Sequence, residues 1–128
     1  MIVLDASAVL ALLQDETGAD AVEDAIDEGA VISALNLSEV LVRMVDAGAS
    51  ADAAADLIVS LFVDVSQFGL ESAREGARIG SIVRPAGLSL GDRACLALAR
   101  SRSLPVITAH RAWLDHAAAL GVEIRSIR

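Results

Sequence analysis

Lysine is absent from this chain of 128 residues; every one of its ten basic side chains is an arginine. That absence excludes a P-loop lysine and a Schiff-base lysine. It leaves arginine as the phosphate ligand, whose planar fork binds two oxygens at once. Tyrosine is absent too, and Phe62, Phe68 and Trp113 are the only aromatic rings, so no obvious base-stacking platform exists. Cys95 is the single cysteine, which rules out an internal disulfide and suits a reducing cytosol. No apolar run approaches the roughly 18 residues of a membrane span. The stretch Met1-Ile2-Val3-Leu4-Asp5 has no basic leader and carries a charge within its apolar run, unlike a signal peptide. A cytoplasmic protein without membrane association is the expectation.

What is present is acidic and apolar. The net charge is −8, which argues against a broad basic nucleic-acid face but suits a metal-dependent site, itself necessarily acidic. Apolar residues make up 55% of the chain, many of them alanine. The remaining Val, Leu and Ile exceed what one small core needs, which predicts an apolar surface covered by another chain. The length fits a single domain over residues 1–128.

The pattern alternates short apolar strands with helices. Strands are predicted over 2–4, 30–33, 63–66, 106–108 and 122–127. Helices are predicted over 7–13, 17–28, 35–47, 51–61, 70–83, 91–101 and 111–120, with a loop over 84–89. Thr17 and Asp20 mark the start of the second helix and Gly29 its end. This alternation predicts an α/β fold with a central parallel sheet covered on both faces. Ligands in such sheets bind beyond the carboxyl ends of the strands.

Polar residues stand at those ends. Asp5 follows the first strand and would serve equally as a helix N-cap. Asp92 opens a helix and could close a capping box with Ser89. Yet it shares a helical stripe with Cys95, Leu96 and Ala99, and a carboxylate heading an apolar stripe needs a partner. Glu39 has a plainer explanation. Leu37, Val40, Leu41 and Met44 form the expected core face, Glu39 points away from it, and Arg43 at i+4 offers a solvated ion pair. His110, Ser7 and Thr108 would each pass individually for caps.

Their order and spacing are more specific than any one of them. Asp5-x-Ser7, Ser38-Glu39, Ser89-Leu90-Gly91-Asp92-Arg93 and Thr108-Ala109-x-Arg111-Ala112-Trp113 together resemble the PIN-domain family, in particular its VapC-type toxin branch. The resemblance runs over essentially the whole chain. It implies a three-layer α/β/α PIN-like domain with Asp5, Glu39 and Asp92 converging at the carboxyl edge of the sheet. By that resemblance Asp5 and Asp92 ligate Mg²⁺ or Mn²⁺ directly, and Glu39 does so directly or through water. Ser7 and Thr108 stand behind them, orienting a carboxylate or a water. The family usually has Asp where this chain has His110, so His110 is an altered ligand position. Asp115, five residues on, lies about 140° round a helix from it and does not replace it directly.

Hard divalent ions prefer oxygen ligands, and three carboxylates without a cation repel one another, so an acidic cluster of this kind predicts a metal. The implied activity is endoribonuclease cleavage of structured RNA such as tRNA or rRNA, leaving 5′-phosphate and 3′-hydroxyl ends. The implied partners are a cognate antitoxin and a second copy in a homodimer, with the two helices over 35–47 and 51–61 offering the apolar surface. A phospho-acceptor signalling domain and a haloacid-dehalogenase-like phosphatase both lack their lysine here; the phosphatase also lacks its second Asp, where Ser7 stands. The remaining alternative is a PIN domain impaired by His110 that acts as an RNA- or protein-binding module.

Overall fold

The computed structural model describes residues 1–61, 63–84 and 87–128. Its strands are β1 (Ile2–Leu4), β2 (Ala30–Ser33), β3 (Asp64–Ser66), β4 (Val106–Thr108) and β5 (Ile124–Ser126), all parallel, in the order β3-β2-β1-β4-β5. The helices are α1 (Ala6–Leu13), α2 (Ala19–Glu28), α3 (Ala34–Asp46), α4 (Ala51–Ser60), α5 (Leu70–Ile82), α6 (Leu90–Arg102) and α7 (Ala117–Leu120), with a 3₁₀ helix over Arg111–His116. No helix among the described residues is long and apolar enough to cross a membrane.

The three inner strands, β2, β1 and β4, are buried along their whole length because helices cover both faces there, whereas Asp64 and Val65 of β3 and Arg125 of β5 are exposed at the edges. Side chains alternate across the pleat. Ile2, Leu4, Ile32 and Ile107 pack with residues of α1 to α4 such as Val9, Val22, Val40 and Ile58. Val3, Val31, Val106 and Ile124 pack on the opposite side with Ile79 of α5, Leu96 of α6, Trp113 and Leu120. This is the three-layer arrangement the alternating pattern predicts. The chain runs outward from β1 through β2 to β3, then returns to place β4 on β1's other side. The strand order therefore reverses between β1 and β4, the point at which sheets of this kind have their ligand crevice, beyond the carboxyl ends of the strands.

Several predicted boundaries shift. The second helix starts at Ala19, not Thr17, and no side chain caps it. Gly18 turns the chain there at φ +91°, and a Cβ on it would stand 2.5 Å from Ile127 Cβ, so packing against the C-terminal segment fixes the start. The helix expected over 111–120 divides into the 3₁₀ helix and the short α7. The tighter winding carries Trp113 into the core. The last strand is Ile124–Ser126, shorter than the stretch over 122–127. Pro85 and Ala86 of the expected loop, and Phe62, lie outside the described residues.

Candidate active site

Asp5 leaves β1 at the crevice and occupies the N-cap position of α1, but its side chain caps nothing. It turns inward instead and is only 2% exposed. Its Oδ2 accepts from Ser7 Oγ at 2.5 Å and from Thr108 Oγ1 at 2.8 Å. The two hydroxyls are themselves held from β4: Ala109 N donates to Ser7 Oγ at 2.9 Å and His110 N to Thr108 Oγ1 at 3.0 Å. Burial pushes the Asp5 carboxyl above its usual range; the Ser7 and Thr108 bonds and His110 oppose that, while the Asp92 charge adds to it. Asp5 is therefore a buried acid whose two hydroxyl donors come from the ends of different elements.

Glu39 is exposed, as its place off the core stripe predicts, but among the described residues no ion pair joins it to Arg43. Its carboxylate rests instead on the first turn of α6. A Cβ built on Gly91 would meet Glu39 Oε1 at 2.1 Å. Only glycine permits that approach. Asn36, one helical turn earlier and fully buried, donates through Nδ2 to Glu39 Oε2 and to the Gly91 carbonyl, both at 2.9 Å. Burial of its end pushes the Glu39 carboxyl up, the Asn36 bond opposes, and the charges of Asp5 and Asp92 raise it further.

Asp92 satisfies both readings of its position. Ser89 Oγ accepts from Asp92 N at 3.1 Å and Asp92 Oδ2 accepts from Ser89 N at 3.0 Å, a complete capping box. That bond is the partner an acid heading the stripe of Cys95, Leu96 and Ala99 requires, and those three residues are buried. The cap engages Oδ2 alone. Beneath the crevice, the Cys95 thiol is raised well above its ordinary value by burial first, then by Asp5, Asp92 and Glu39. All three predicted carboxylates thus act electrostatically on one buried atom.

His110 faces the same crevice. Its Nε2 stands 3.5 Å from Asp5 Oδ2, with the side chain 51% exposed, and its ring tilts against Trp113 at a centroid distance of 5.3 Å. Asp115 is exposed on the 3₁₀ helix, and its charge is not among those acting on Asp5 or Glu39. Ser7, Thr108 and His110 thus meet Asp5, while Glu39 rests on Gly91, next to Asp92 in the chain, and Asp115 is exposed apart from both. Sequence reading missed Asn36. The signal was available: an amide four residues before the buried Val40, on the core stripe of α3. Its Oδ1 is the one buried side-chain polar atom without a partner among the described residues.

The donors suit a hard divalent ion in kind, being carboxylate oxygens whose mutual repulsion a cation would relieve. Among the described residues, no three His, Cys, Asp or Glu side chains stand close enough to grip one ion together.

The PIN-domain family model matches residues 2–119. No curated protein matches the chain. Solved structures of similar fold include a toxin–antitoxin complex from Klebsiella pneumoniae, with a TM-score of 0.74 and 17% identity over 100% of this chain and 98% of that one. FitAcB from Neisseria gonorrhoeae gives 0.72 and 21% over 99% and 98%. VapBC-5 from Mycobacterium tuberculosis, a member of the VapBC family of toxin–antitoxin systems, gives 0.61 and 26% over 98% and 97%. With a family match across nearly its whole length, this chain belongs to the PIN-domain family.

Proposed function

We propose that this chain is a single-domain, metal-dependent endoribonuclease, the VapC-type toxin of a toxin–antitoxin pair, cleaving structured RNA such as tRNA or rRNA. The observation that supports the reading is Asp5, buried at the end of β1 between the hydroxyls of Ser7 and Thr108, with Glu39 resting on Gly91, the residue before Asp92. Asp5 and Asp92 would hold Mg²⁺ or Mn²⁺, and Glu39 would do so directly or through water. When bound, such an ion neutralises phosphate charge and provides a hydroxide nucleophile near neutral pH. Ser7 and Thr108 orient Asp5 by donating to Oδ2, and these bonds oppose the upward push of burial on its carboxyl; Oδ1 is left for a ligand role. Asn36 and Gly91 fix Glu39 at the mouth of α6.

Cleavage of total tRNA by the purified protein tests this. Parent activity should require Mg²⁺ or Mn²⁺, stop in excess EDTA, and be lost in Asp92→Asn, which can keep an oxygen for the cap but not the ligand charge. Undiminished cutting by that variant, or in EDTA, refutes the reading.

The partners proposed are a cognate antitoxin and a second copy of the chain in the cytoplasm. Support for the antitoxin comes from the toxin–antitoxin complexes among the similar folds. Support for an apolar interface comes from the exposed Val42, Val45, Leu57 and Val59 on the paired α3 and α4. The second reading is an RNA- or protein-binding module without activity, and the observation favouring it is His110 beside Asp5. Binding of tRNA without metal-dependent cleavage would select it.

A further inference from the structure

The arginines of this chain divide into two groups. Five hold carboxylates: Arg74 with Glu71 at 2.6 Å, Arg78 with Glu75 at 2.9 Å, Arg100 with Glu75 at 2.7 Å, Arg125 with Glu123 at 2.8 Å, and Arg128 with Glu16. Among the described residues, Arg43, Arg84, Arg93, Arg102 and Arg111 hold none. Acids outnumber arginines by 18 to 10, so carboxylate partners are not scarce. Arg43 even lies four residues after Glu39, the order that favours a helical ion pair, and the pair does not form.

Position distinguishes the second group. Arg43 lines a groove of about 480 Å³ together with Glu39, Leu90 and Gly91. Arg84 and Arg93 line a second groove of about 490 Å³, which also has Leu90 in its wall. Leu90, 56% exposed, is thus the ridge between the two, at the first turn of the helix that carries Asp92. Arg111 follows His110 directly. Only Arg102, at the far end of α6, stands apart; it reaches Ser66 Oγ at 3.4 Å. Backbone carbonyls hold the guanidinium groups of Arg84 (Gly80 O, 3.3 Å) and Arg93 (Leu88 O, 3.0 Å), which orients them without cancelling their charge.

We infer that Arg43 on one side of the Leu90 ridge, and Arg84 with Arg93 on the other, bind the backbone phosphates of RNA flanking the bond presented to the acidic site. The inference rests on the nuclease reading and names how an acidic chain retains a polyanion. A guanidinium already matched by a carboxylate releases few counterions from RNA; an unmatched one releases nearly its full share. The unmatched charges are therefore the ones able to offset repulsion from Asp5, Glu39 and Asp92. The few aromatic rings leave backbone charge as the main source of affinity.

The test measures binding of a fluorescein-labelled 20-nucleotide oligouridylate in EDTA, where no metal-dependent cleavage occurs, across a range of salt. Arg43→Gln, Arg84→Gln and Arg93→Gln should each weaken binding and reduce the slope of log K against log salt by about 0.7. Arg74→Gln and Arg125→Gln, which remove matched charges, should leave the slope unchanged. Equal losses in all five variants would reduce the effect to net charge and overturn the inference. So would an unchanged slope in the triple variant, or loss of affinity for polyglutamate in place of RNA, which would indicate an acidic protein partner. A parent that does not bind the oligonucleotide overturns it too, whereas metal-dependent cleavage of total tRNA by that same parent would leave the nuclease reading standing.

Discussion

The carboxylate of Glu39 rests so close to Gly91 that a single methyl group there would stand 2.1 Å from its Oε1. Gly91 has helical backbone, so alanine is allowed locally and gains about 0.5–1 kcal/mol of helix propensity. The obstruction falls on the mobile end of Glu39, which can swing away. Gly91→Ala should thus keep or slightly raise the urea midpoint while lowering cleavage at least tenfold. Parent-like cleavage in a variant of parent-like stability would remove Glu39 from the reacting centre.

Asp5 and Glu39 both hold their protons to higher pH in the folded chain than in the unfolded one. Between the ordinary carboxylate range and those raised values, the folded state binds more protons. Stability of the metal-free protein should therefore fall as pH rises through that window and level off above it. Asp5→Asn removes the larger buried contribution. Denaturation in EDTA at a series of pH values should show the parent losing stability relative to Asp5→Asn as pH rises. Curves that run parallel throughout would mean that Asp5 is not held protonated by burial.

His110 stands 3.5 Å from Asp5 where the family usually has an acid. Imidazole ligates Mg²⁺ poorly and Mn²⁺ better. His110→Asp should strengthen Mg²⁺ binding and Mg²⁺-supported cleavage, with a smaller gain in Mn²⁺. It should also destabilise the metal-free protein, since another negative charge then faces Asp5. Calorimetric titrations of both metals into both proteins decide the matter, and superimposable isotherms would put His110 outside the metal site.

Thr108 supplies one of two hydroxyl donors to a buried carboxylate and also accepts from His110 N. Thr108→Val keeps the shape and removes both bonds, at a cost of about 1–3 kcal/mol. The loss should be largest well above the raised Asp5 range, where the acid is charged, and smaller in acid. A pH-independent loss would assign Thr108 to packing alone.

The sequence by itself determined the layered α/β class, because inner strands buried on both faces must be largely apolar and helices must show a wider period. It also marked Asp5 and Asp92, since each interrupts an apolar pattern where a strand ends or a helix begins. Boundaries set by distant contacts were not legible: Ile127 fixes the start of α2, and burial of Trp113 accompanies the change from 3₁₀ to α helix. Glu39 was the clearest failure of local reasoning. Helical periodicity measures direction around one axis and turned it toward solvent and Arg43; only the packing of α3 on α6 showed that this direction ends against Gly91. Asn36 was hidden for the same reason, because an amide on a core stripe has meaning only once the acceptors it bridges are known, and one of these, the Gly91 carbonyl, lies on another helix 55 residues away. Tertiary structure alone decided which charges meet, because electrostatic interaction depends on distance through space, to which distance along the chain is no guide.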